Sequence, residues 1–392
     1  MISAEGKSDF SPRRIRELAC KPDLDLCFKR IEAWYNQAVI DRPPVRFTKH
    51  NAQHAKGNPL DTARWKTLRD RWMDTDYMVD NFEKSLEGKS FKAETFPIYI
   101  PTLGPNVYSA FYGGELQFGE TTTWYDPSIS NLDDLSPISN DPFLSLYFKK
   151  LEEQTRTALS RCGDKYWVGY ADLHPSLDCV AAWCGAETLM LAMTDTPEKL
   201  EPLLDISCRD FHEIFDHFDS ILKAAGQPSI TWIRIPCAGK FHIPSGDATS
   251  MISSAYFQRF SKPCLQQELK GIDRAVYHVD GKGVAQHLDI ILNEPGIQAI
   301  QWVQGVGDDW PIMQWIPLLK RVLDAGKSVI VDVPLDELDE FIANMPPEGV
   351  FLCLDAEDFM QDDILRRINK WGGHFMTAHG SPDFRKDNGS KN

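Results

Sequence analysis

Short apolar and β-branched runs recur along the chain, each closing on polar residues. Such runs, bounded by turn signals, predict strands buried on both faces. Eight stand out: Val45–His50 (VRFTKH), Phe96–Leu103 (FPIYIPTL), Trp167–His174 (WVGYADLH), Ile230–Pro236 (ITWIRIP), Ala275–Gly281 (AVYHVDG), Ala299–Gly305 (AIQWVQG), Ser328–Pro334 (SVIVDVP) and Val350–Asp355 (VFLCLD). Between the last four, helical spacing runs over Val284–Leu292, Pro311–Ala325 and Leu335–Asn344, long enough for the crossovers that parallel strands need. Gly326 marks a helix stop followed directly by a strand. The alternation predicts an α/β fold, a single (βα)8 TIM barrel.

The front half is looser. Asp61–Glu87 reads as one long helix, and Pro105–Pro142 as a long insertion after the second strand. The insertion carries Tyr112, Gly113, Gly114, Trp124 and Tyr125, and it is read either as a substrate wall or as a surface-packing loop. The predicted organisation is a helical extension over residues 1–40, the barrel over 41–377 and a disordered tail over 378–392.

Charge and composition narrow the function. With 42 Lys and Arg against 57 Asp and Glu, the net charge is −15, which argues against nucleic acid as a partner. No apolar run approaches the length of a membrane span and the start lacks a signal-peptide core, so a soluble, cytoplasmic protein with no membrane partner is expected. Nine cysteines without CxxC spacing read mostly as small core residues. Glycine-rich nucleotide loops, HExxH and GxSxG are missing.

In such a barrel the chemistry sits at the carboxyl ends of the strands. The first run ends in Lys49-His50-Asn51 and the third in Asp172-Leu173-His174, while the fourth carries Arg234. The fifth ends in His278-Val279-Asp280, the sixth holds Gln301, Trp302 and Gln304, the seventh Asp332, and the eighth Cys353 and Asp355. His278 and Asp280 are two apart on a strand, as are Asp172 and His174, so each pair shares a face. An imidazole beside a carboxylate serves as an acid–base pair or as two metal ligands, or merely closes the barrel end as a buried hydrogen-bonded pair. His278, Asp280 and Cys353 form a possible zinc set, although Cys353 reads equally as core. Arg234 is read as a carboxylate binder or half of a structural salt bridge. His50, Trp124, Tyr125, Gln301, Trp302 and Asp332 complete the expected substrate-binding group. Asp247, in SGDATSMIS, reads first as a helix N-cap, and Asp178 is read either as a pocket residue or as a cap.

The stretch YHVDGKGVAQHLDIILNEPGIQAIQWVQG, with WIPLLKRVLDAGKSV behind it, resembles the uroporphyrinogen decarboxylase-like superfamily, which includes corrinoid-dependent methyltransferases. DRPPVRFT, YADLHPSLDCVAAWCGAETLMLAMTDTPEKL and GDATSMISSAYFQRFSKPCL share its style, so the resemblance spans most of residues 25–372. It implies a (βα)8 barrel. The arginine-rich RQAGR segment of true uroporphyrinogen decarboxylases is replaced by VRFTKHNAQH, which argues against a porphyrinogen substrate. The methyltransferase branch holds zinc through a His-x-Cys pair on the fifth strand and a further Cys near the eighth. Here His278 matches, Asp280 replaces the first Cys, and Cys353 lies near the last position. The resemblance implies a methyltransferase acting on a small methylated compound with a corrinoid (cobalamin) or thiol acceptor, with zinc as cofactor and a corrinoid protein as partner. A decarboxylase (lyase) of a small carboxylated substrate and a non-catalytic corrinoid or tetrapyrrole binder are the alternatives.

Overall fold

The computed structural model describes residues 15–48 and 61–379. Ten strands occur in chain order: β1 Val45–Thr48, β2 Ile98–Tyr99, β3 Leu116–Phe118, β4 Thr123–Tyr125, β5 Trp167–Val168, β6 Phe241–His242, β7 Arg274–Asp280, β8 Ala299–Val303, β9 Ser328–Asp332 and β10 Val350–Asp355. Six form a curled sheet in the order β1-β10-β9-β8-β7-β6, with every pair parallel. A second parallel sheet pairs β2 with β5.

The two sheets meet through isolated bonds rather than continuous ladders. Glu94 N–H donates to the Val45 carbonyl at 2.8 Å on one side, and on the other Tyr170 N–H donates at 2.9 Å to the carbonyl of Ile230, in the non-strand segment that precedes β6. With helices packed around it, the molecule has a TIM-barrel-like α/β fold. Alternate side chains explain why the strands read as unbroken apolar runs, since both faces are buried. Val276, Ala299, Ile330 and Phe351 join the inner cluster, whereas Tyr277, Ile300, Trp302 and Val331 pack in the outer layer with the helices.

The helix Leu24–Tyr35 closes the amino end of the barrel, its Leu24, Cys27, Ile31 and Trp34 joining the inner cluster. Trp34 Nε1 donates to the carbonyls of Val329 (3.0 Å) and Gly349 (3.1 Å), at the starts of β9 and β10. The opposite end, where Thr48, Asp280, Val303, Asp332 and Asp355 terminate their strands, is therefore the mouth.

Several expected elements differ. Phe96–Leu103 and Trp167–His174 keep only two strand residues each, so Asp172 and His174 lie beyond the end of β5. Ile230–Pro236 is not a strand. Ser229 and Cys237 pair as an antiparallel bridge around a turn in which Arg234 N–H donates to the Thr231 carbonyl at 2.8 Å and Arg234 takes a φ of 58°. Tertiary contacts override the alternation: Trp232 packs on His278, and Arg46 donates to the Ile233 carbonyl. The strand beside β7 is instead β6. Asp61–Glu87 is broken into Leu68–Trp72 and Thr75–Ser85, because Asp74 turns its carboxylate to cap Tyr77 N–H while accepting from Arg64 and Trp65. Val284–Leu292 is likewise two short helices, Gly281–Ala285 and Leu288–Leu292.

The insertion folds as a hairpin, β3–β4. The helix Asp358–His379 runs two residues into the expected tail, and 380–392 lie outside the described residues. Among the described residues no single helix is long and apolar enough to cross a membrane.

Candidate metal and acid–base site

His278 and Asp280 lie at the carboxyl end of β7, on the same strand face, as alternation requires. Asp247 meets them from the loop that enters the 3-10 helix Asp247–Met251, and one ligand atom from each of the three lies within 4.8 Å of the others. Asp247 does not act as the expected N-cap: Gly246 holds that position, and no side-chain cap bond forms. The carboxylate accepts from Ser245 Oγ at 3.4 Å and stands beside the two β7 side chains. Its loop is anchored by Asp178, whose carboxylate accepts the backbone N–H groups of Asp247 (3.0 Å) and Ala248 (2.8 Å).

His278 Nδ1 lies 2.8 Å from Gln301 Oε1 on the neighbouring strand β8. With that oxygen as acceptor, Nδ1 carries the proton and Nε2 presents its lone pair. Trp232 stands edge-on to the imidazole, with ring centroids 5.0 Å apart, and limits its rotation.

The Asp172–His174 pair also forms, with His174 Nε2 2.6 Å from Asp172 Oδ2. Burial pulls the imidazole pKa down, but Asp172, together with nearby Asp178 and Asp247, outweighs it and raises the pKa to about 9. His174 is therefore cationic at neutral pH. Burial and the neighbouring Asp247 charge push Asp178 upward, opposed by His174 and by its two backbone donors. His174, Asp178, Asp247 and Tyr125 share a cavity of about 490 Å³, which places both expected histidine–carboxylate pairs around one end of the barrel.

Other expected site residues are scattered. Tyr125 points into that cavity from β4, whereas Trp124, one residue earlier, faces solvent at 50 % exposure, because adjacent strand residues face opposite ways. Trp302 is fully buried in the outer layer, with its ring 4.8 Å from that of Trp315, so strand parity removes it from the barrel interior and from the substrate wall. Asp332 and Cys353 line a separate cavity of about 440 Å³ at the ends of β1, β8, β9 and β10. Cys353 is not in the ligand cluster. Burial pushes its thiol up to about 12, the opposite of what a thiolate ligand or nucleophile needs. Arg234 has no carboxylate partner among the described residues and donates to the Ile98 carbonyl at 2.8 Å, so the structural salt bridge does not form. His50 lies outside the described residues.

Sequence reasoning missed a buried pair behind the site: His242 on β6, 3.1 Å from Glu268. Burial lowers His242 to about 3 and raises Glu268 to about 8, which keeps both groups neutral around pH 7. FHIP and QQEL carry no local signal for this pairing, which depends on tertiary contact alone.

No protein-family model and no curated protein matches the sequence. Among solved structures, the fold is similar to that of a methyltransferase from Methanosarcina mazei, with a TM-score of 0.57 and 13% identity over 89% of this chain and 98% of that one. A B12-independent methionine synthase from Shewanella sp. W3-18-1, in complex with selenomethionine, gives a TM-score of 0.30 at 13% identity, over 65% of this chain and 69% of that one. At the level of the fold, the first likeness agrees with the resemblance read from the sequence.

Proposed function

We propose that this chain is a metal-assisted methyltransferase of the uroporphyrinogen decarboxylase-like superfamily, moving a methyl group between a small methylated compound and a corrinoid or thiol acceptor. The observation that carries the reading is the convergence of Asp247, His278 and Asp280 at the mouth of a barrel that shares its fold with a methyltransferase. One imidazole nitrogen and two carboxylate oxygens suit a divalent cation, zinc included, and leave positions open for substrate. A cation held there supplies Lewis acidity toward the substrate.

The chain's own groups do the rest. Gln301 holds His278 in the tautomer that presents Nε2, Asp178 pins the loop bearing Asp247, and His174 contributes a fixed positive charge on the cavity wall. Two oxygen donors in place of thiolates leave a bound cation less electron-rich, which favours an acceptor other than a thiol. A corrinoid, free or on a partner protein, meets that requirement.

Elemental analysis of the purified protein, repeated on His278→Ala, Asp280→Ala and Asp247→Ala, tests this reading. Near-stoichiometric divalent metal that falls at least tenfold in every variant is expected, as is loss of methyl transfer in His278→Ala with the fold intact. Absence of metal after reconstitution with zinc would overturn it. The second reading, decarboxylation of a small carboxylated compound, is favoured by the cationic His174 beside the cavity. Carbon dioxide release without a methyl acceptor distinguishes it.

A further inference from the structure

A third cavity, of about 320 Å³, lies between β1, the approach to β2 and the Thr231–Arg234 turn. Arg46 and Arg234 both line it, together with the rings of Phe82, Phe91 and Phe96. Arg46 spends one nitrogen on the Ile233 carbonyl and also meets the Cys353 thiol, Arg234 spends one on the Ile98 carbonyl, and Arg46 Nε is buried with no partner. A guanidinium has five N–H donors, so most of this donor capacity is uncommitted. Among the described residues no carboxylate lies within ion-pair distance of either arginine. Asp358 also lines the cavity, but its carboxylate accepts from Gln361 Nε2 at 3.3 Å, at the start of the helix Asp358–His379.

Two unfavourable features fall on Arg234 together. Its backbone is in the left-handed region at φ 58°, strained for any residue with a Cβ. The like charge of Arg46 stands beside its own, while the Arg234 side chain itself reaches solvent. Paired, unneutralised arginines that project into an aromatic-walled cavity are arranged to receive a planar oxyanion on an apolar body.

We infer that this cavity binds an organic acid, with its carboxylate between the guanidiniums of Arg46 and Arg234 and its carbon body against the phenylalanine rings. The turn that misreads as a strand creates the site: Trp232 buttresses His278 while Arg234, two residues on, reaches the cavity, so the two sites share one support. The inference rests on the functional reading above only for calling the acid a substrate. Binding is therefore measured apart from turnover.

Isothermal titration of the full chain with benzoate, and separately with inorganic phosphate, tests it, using wild type, Arg234→Met, Arg46→Met, Arg234→Lys and Asp280→Ala. Saturable benzoate binding is expected, weakened at least tenfold in each Met variant, partly restored by lysine at position 234 and unchanged in Asp280→Ala. The melting temperature of Arg234→Met should stay close to that of wild type, because the exposed side chain gives up one hydrogen bond, to the Ile98 carbonyl. Tighter binding of phosphate than benzoate, no saturable benzoate binding, or benzoate binding that survives both Met substitutions overturns the inference. So does a lowered melting temperature in Arg234→Met with binding intact, which would make the residue structural. If Arg234→Met does not fold, Arg46→Met and Arg234→Lys decide the matter alone.

Discussion

His174 sits among Asp172, Asp178 and Asp247, and this grouping gives the protein one identifiable contribution to its pH dependence. Its folded pKa, about 9, lies above the ordinary 6.5. The stability it contributes is therefore fully present below about pH 6.5 and is lost as pH rises through about 9. The side chain is only 14 % exposed, so screening is modest, and the effect is at most about 3 kcal/mol. Denaturant titrations at pH 6.5 and 8.5 should show a loss of stability that is clearly smaller in His174→Gln, with the remainder belonging to Glu268, whose folded pKa of about 8 also lies above its ordinary value. An equal loss in the variant would mean that the charge is not held by this cluster. Strand alternation made the His278–Asp280 pair legible in the sequence, whereas Asp172 and His174 pair in the segment after β5, outside any strand. Asp247 was not legible, since an aspartate before a helix has an ordinary capping role, and only the Asp178 anchor shows that it faces elsewhere.

At the scale of elements, Glu94 ties the start of the chain to the barrel. Fully buried, it accepts from Arg42 Nη1 at 2.7 Å, Arg30 Nη1 at 3.2 Å and Val45 N–H at 2.7 Å, joining the helix Leu24–Tyr35, the approach to β1 and β1 itself. Removing the carboxylate leaves two buried guanidiniums short of their counter-ion, one of which, Arg30, keeps Asp41. Glu94→Ala should cost about 3–5 kcal/mol, read as a lower urea midpoint at unchanged slope. Metal content at His278 should stay the same, because Glu94 lies at the start of β1 and not at the mouth. A loss below about 1 kcal/mol would show that the extension is held by Trp34 and its apolar neighbours instead. The elements themselves divide by how local their causes are. Strands β7 to β10 were legible because burial on both faces writes itself as a continuous apolar run. The Thr231–Arg234 turn was not, because ITWIRIP alternates like a strand and only Arg46 and His278, distant in sequence, bend it back. The break at Asp74 follows from a capping choice that competes with an otherwise helical pattern.

Taken whole, the molecule carries −15 and yet divides its mouth by sign. Asp172, Asp178, Asp247 and Asp280 gather on the side of β5 and β7, while Arg46 and Arg234 hold the cavity beside β1 and β2. The global field therefore works with the carboxylate side and against the arginine side. A divalent cation is drawn in by both the overall charge and the local one, so screening slows its association. An organic anion is repelled at long range and attracted only at short range, where Arg46 and Arg234 flank one cavity within a Debye length of the bound carboxylate. Raising the salt from about 0.01 to 0.15 M, which shortens the Debye length from about 30 to 8 Å, should then slow metal association several-fold while benzoate association holds or quickens. Stopped-flow traces of both ligands across that range make the comparison. If benzoate association slowed in parallel with the metal's, the arginines would be steering the anion from open solvent, and the short-range character assigned to their attraction would fail.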